Sequence, residues 1–117
     1  MKKILFLILI SVGAHSSNAE TIPITTCKLI AENRKSWADL KAKGLNENQI
    51  RDEIFQKNIE YKKREDKSFH KFADQAMEEE IDFLIWMFNK KNIKLSPGEI
   101  YNIKFNECFK ELKAKGY

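Results

Sequence analysis

Apolar side chains recur at three- and four-residue spacing along most of the chain, the period of helices with one buried face. Leu29, Ile30, Asn33, Trp37 and Leu40 share a face and predict a first helix from about Cys27 to Lys43, with Thr25 and Thr26 as its amino-terminal caps. Gly44 is expected to end that helix in the left-handed conformation, with Leu45 folding back on Leu40. Asn46 followed by Gln49 is a capping-box pair, so a second helix begins at about Glu47, after a bend.

The second stripe runs through Ile50, Ile54, Phe55, Ile59 and Tyr61 until the charged stretch from Lys62 to Lys67 interrupts it. It resumes at Phe69, Phe72, Ala73, Ala76 and Met77. One long helix that changes its buried face would produce this, and so would a break near Asp66-Lys67-Ser68 with Ser68 capping a new start; the charged interruption favours the break. The helix should end near Asn92. Leu95-Ser96-Pro97-Gly98-Glu99-Ile100 then opens the last one, with serine at the cap, proline at the first helical position, glutamate at the third, and Leu95 stapled to Ile100. Ile100, Tyr101, Phe105, Cys108, Phe109 and Leu112 are its inward positions. No segment sustains the period of two that a strand requires. The reading is an all-α, single-domain bundle of three to five helices.

The first 19 residues stand outside that pattern. Met1-Lys2-Lys3, an apolar run from Ile4 to Ile10 and the small-residue site Ser17-Asn18-Ala19 describe a secretory signal peptide, with a domain from Glu20 to Tyr117. Val12-Gly13-Ala14 is a second site at which cleavage would satisfy the same rule. The run falls well short of the ~20 residues that cross a bilayer, and no later stretch reaches that length. Cys27 lies too far beyond the run for lipid attachment. The basic start is bacterial in character, which places the domain in the periplasm, with an extracellular site as the alternative.

Export changes how the two cysteines read. About one hundred residues is near the size at which a single apolar core needs a staple. In an oxidising compartment, Cys27 and Cys108 are expected to form one internal disulfide, joining the start of the first helix to the last. A free thiol pair or bridges between molecules are the alternatives. The internal bond closes nearly the whole domain into a loop, worth ~4–5 kcal/mol by the chain-entropy model.

The net charge of +4 includes Lys2 and Lys3, so without the leader the domain carries +2, too little to argue for nucleic acid. His70, flanked by Lys71 and lacking a cysteine or carboxylate at a catalytic spacing, is expected on a solvated face, with pH sensing as its functional alternative. Glu78, Glu79, Glu80 and Asp82 point in different directions on one helix and are likewise expected in water. There is no glycine-rich phosphate loop and no pair of histidines four apart. Neither an enzyme nor a cofactor or metal is expected.

Ile81 to Phe88 is apolar nearly all round and reads as the buried centre of the bundle. Where the bundle covers only one side, Phe83 and Trp86 form a patch for a partner, tryptophan being enriched at binding hot spots. Adsorption to a membrane surface is a third use of such a face, disfavoured by its acidic neighbours.

Cys27 with Ala31, Gly44, Ser96-Pro97, Phe105 and Cys108 resembles a widespread set of small exported bacterial proteins bracketed by two cysteines, over the first and last helices. Two other groups share the plan without a shared motif. Likeness to periplasmic immunity proteins of interbacterial amidase toxins implies occlusion of a toxin's site. Likeness to acid-stress chaperones of the HdeA family implies apolar surface exposed at low pH. The expectation is a periplasmic protein-binding domain of immunity or inhibitor type, with the acid-stress chaperone as the alternative.

Overall fold

Gly44, at φ +102°, ends the first helix in the conformation expected of it. The Leu45 amide donates to the Leu40 carbonyl at 3.1 Å and the Gly44 amide to the Lys41 carbonyl at 3.0 Å, the paired bonds of a Schellman turn. In the computed structural model, which describes residues 22–116, this helix is α1, Ile22–Ala42. It is longer at its start than the threonines predict. Thr25 and Thr26 lie inside it, and Thr26 is buried. Pro23, in the first turn where no amide donor is needed, is the signal that marks this earlier start. The leader expected over Met1–Ala19 lies outside the described residues.

Asn46 and Gln49 form the reciprocal capping box at the head of α2, Glu47–Arg64, each bond 2.8 Å long. The chain then breaks, as the charged interruption predicts, into a 3-10 turn over Lys67–Phe69 before α3, His70–Phe88. Ser68 is not the cap. The Asp66 carboxylate accepts from the Ser68 amide at 3.5 Å, and α3 starts after Phe69 without a side-chain cap. That helix ends at Phe88, earlier than expected: Asn89 is extended, and its side chain reaches forward to accept from the Lys91 amide at 2.9 Å. Ser96 and Glu99 form the second capping box, with bonds of 3.1 and 2.9 Å, and open α4, Pro97–Ala114.

Four α-helices and one 3-10 turn, with no strand, make up the described residues. The domain is a small all-α bundle in which α1 packs mainly on α4 and α2 mainly on α3. Trp37, Ile50, Ile54, Leu84, Met87 and Ile100 meet at its centre. A second apolar cluster, Ile30 and Leu112, surrounds the disulfide between Cys27 and Cys108, whose α-carbons are 5.5 Å apart. Both cysteines are buried, and the bond ties α1 to α4.

Three expectations of burial need correction. Of the second stripe only Ile50, Ile54 and Ala73 are buried, and Phe55, Ile59 and Phe69 are exposed. Tyr101, Phe105 and Phe109 are only half-buried; spaced one turn apart, they stack as a ladder with centroids 6.4 and 6.0 Å apart along the flank of α4. The run Ile81–Phe88 is not buried all round. Phe83, Leu84 and Met87 face the core, while Ile85 is 52 % exposed. Among the described residues, no helix is long and apolar enough to cross a membrane.

Candidate functional site

Glu79, Asp82, Phe83 and Trp86 fall on one face of α3 by helical spacing, and that face looks into a groove between α1 and α4. Ile30 and Arg34, one turn apart, form the α1 wall; Lys104 and Glu107 form the α4 wall. The volume enclosed is about 320 Å³.

Aromatic surface floors the groove. Phe83 and Trp86 stack with centroids 5.8 Å apart and planes inclined by 26°. Phe83 is 4 % exposed, so it is the floor and not an open patch, while Trp86 is half-buried. Two cations lie against these rings. The Lys104 ammonium stands 4.0 Å from the Trp86 centroid and 5.6 Å from that of Phe83, and the Arg34 guanidinium is 5.5 Å from Phe83. Ring quadrupoles attract cations at such distances, more strongly as water is excluded.

Each cation also has a carboxylate. Lys104 pairs with Glu107 at 3.0 Å, and Arg34 lies 4.0 Å from Glu80 and donates to the Asn33 side chain. Arg34 is 6 % exposed, and burial pulls its pKa below the usual value, opposed by the Glu80 charge. The same Glu80 oxygen accepts from Asn33 Nδ2 at 2.9 Å and from Trp37 Nε1 at 3.2 Å. Glu80 thus ties α3 to α1.

The acidic run is divided by this geometry. Glu78 and Asp82 are exposed as expected, Glu79 lines the groove, and Glu80 is directed at α1. The expectation that all four are solvated is corrected for Glu80, whose polar partners outcompete water, and for Glu79, one carboxylate oxygen of which is buried. His70 is also not on an open face. It is half-buried at the junction of α2 and α3, where its Nε2 lies 3.0 Å from the Lys62 carbonyl and donates to it. Beside it, Lys62 pairs with Asp74, which accepts from Asn58 at 3.5 Å. The Lys62 hydrogen bond, with that residue's charge, Asn58 and the His70 charge adding to it, holds the Asp74 carboxyl below its ordinary value against desolvation.

His70 and the groove belong to different parts of the bundle. Arg34, Lys104 and Glu107 are the groove residues that the pattern of apolar positions does not flag. Arg34 had a signal, a charge one turn from Ile30 within the buried stripe of α1. Lys104 had none, because only the packing of α4 beside α3 brings it over Trp86. Among the described residues, no three histidine, cysteine or acidic side chains converge as ligands of one metal ion. The groove offers apolar ring surface, compensated charge and shape, which are means of recognition. No family model matches the chain, and neither the curated proteins nor the solved structures give a match.

Proposed function

We propose that this chain is an exported, non-enzymatic domain of the periplasm that acts by binding another protein through the Trp86 groove, in the manner of an inhibitor or immunity protein. The carrying observation is the convergence of Trp86, Phe83, Arg34 and Lys104 from three helices onto one concavity. Tryptophan and arginine are the residue types that most often dominate protein interfaces. The disulfide supports the exported setting, since such bonds persist in oxidising compartments. The non-enzymatic reading draws support from where the polar groups are spent: Glu80, Asn33 and Trp37 bond helix to helix, and His70 bonds the Lys62 carbonyl.

Co-purification from an envelope extract, with wild type beside Trp86→Ala, tests this. The expected result is one stoichiometric partner retained by wild type and lost by the variant. A partner held equally by both would remove the groove from the contact.

The acid-stress chaperone reading draws on a different observation. The Asp74 carboxylate links α3 to α2 and is held in its charged form by Lys62, so protonating it would weaken that link while the disulfide holds. Binding of an apolar dye near pH ~2–3, with suppression of client aggregation, is its signature; an unchanged fold there counts against it.

A further inference from the structure

We propose that the groove takes a basic side chain of the partner, lysine or arginine, at the place over the Trp86 indole that Lys104 fills in the free protein. This rests on the protein-binding reading and gives the partner a chemistry.

The arrangement of charge carries the inference. The two cations lie inward: Arg34 is buried beside Glu80, and Lys104 is folded onto the rings with Glu107 as its counter-ion. An incoming anion would meet cations already compensated. The rim is acidic. Asp82 and Glu107 are exposed, and Asp82, one turn from Trp86, has no ion-pair partner among the described residues. An approaching partner therefore meets carboxylates first and an aromatic face behind them, a combination that selects a cation. Lys104 shows the geometry such a cation takes, with its ammonium 4.0 Å from the Trp86 centroid and 3.0 Å from Glu107. It is an internal competitor. A partner's basic group displaces it from the indole and gains Asp82 as a counter-ion that Lys104 does not use.

The test follows the Trp86 indole and neighbouring amide NMR signals of the oxidised, exported protein. A blocked glycine-arginine-glycine tripeptide and its glutamate counterpart are the probes. The arginine peptide should give saturable shifts at Trp86 that weaken as salt rises, and the glutamate peptide none. Lys104→Met, which keeps the stem and removes the charge, should tighten arginine-peptide binding by about 3- to 10-fold. Asp82→Asn, at an exposed position whose loss leaves the fold alone, should weaken it by about 2- to 5-fold. A Trp86 response to the glutamate peptide, no response to the arginine peptide, or no tightening in Lys104→Met overturns the proposal. A protein captured through Trp86 but presenting an acidic contact surface would leave the binding function standing and sink this inference. A specific arginine-peptide response with no protein captured in the extract would do the reverse.

Discussion

The indole nitrogen of Trp37 donates to a carboxylate oxygen of Glu80 at 3.2 Å, joining the one aromatic of α1, which is buried, to the acidic run of α3. The same oxygen accepts from Asn33 and lies 4.0 Å from the Arg34 guanidinium, so two donors and one cation of α1 converge on it. Glu80→Ala leaves the indole and amide without a partner and the buried guanidinium without a counter-ion. It is expected to cost about 2–4 kcal/mol in urea unfolding. Glu80→Gln keeps an acceptor for Trp37 and should cost less, about 1–2 kcal/mol. Equal and near-zero losses for the two would show that Glu80 is solvated after all.

The caps were legible because each depends on a few adjacent residues: Gly44 with Leu45, Asn46 with Gln49, Ser96 with Glu99. The disulfide was legible because two cysteines allow a single pairing within the chain, and the expected export favours their oxidation. Ser68 misled because two capping side chains stand two residues apart, and Asp66 made the bond to the Ser68 amide. Thr25 and Thr26 misled because threonine at a helix start and threonine within a helix look alike until Pro23 is considered. The groove was half legible. Phe83 and Trp86 stand out from composition, but their burial, and the cations over them, depend on which face of α3 meets α1 and α4. No local pattern encodes that.

The staple between Cys27 and Cys108 spans 81 residues of sequence. Replacing both with serine enlarges the freedom of the unfolded chain and also puts two hydroxyls where buried sulfurs stood. The expected loss is about 3–5 kcal/mol, most of the net stability of a domain this small. Chemical denaturation of the double variant beside wild type reads it directly. With both sulfurs buried, mild reductant should leave the bond intact until denaturant is added, which thiol titration with and without urea would check.

Asp74 predicts a pH dependence of defined sign. Its carboxyl is held below the ordinary value of 3.8 by Lys62, so the folded state favours the charged form. Its stabilising effect is fully present above the unfolded value and is lost as pH falls through the lowered one. Asp74→Asn should therefore lower the urea midpoint at pH ~7 and converge on wild type by about pH 2–3. Nearly half of the Asp74 side chain is exposed, so solvent screening keeps the difference small. A gap that widened on acidification would mean the ion pair with Lys62 does not form.

Leu84 and Ile85 are neighbours in the most apolar stretch of the chain, yet α3 buries the first completely and leaves the second 52 % exposed. Leu84 packs in the central core near Met87 and Ile100, where truncation removes contacts that the surrounding helices cannot remake. Leu84→Ala should cost about 2–5 kcal/mol. Ile85 stands where the helix turns outward, so Ile85→Ala should stay within about 0.5 kcal/mol of wild type. The pair separates the orientation of α3 from its composition. Rotating the helix by one residue, so that Leu84 takes the outward place of Ile85 and Ile85 the half-buried place of Trp86, would reverse the order of the two effects, and it would also carry Phe83 and Trp86 off the groove. A costly Ile85→Ala beside a tolerated Leu84→Ala would thus overturn the placement of the binding surface together with that of the core.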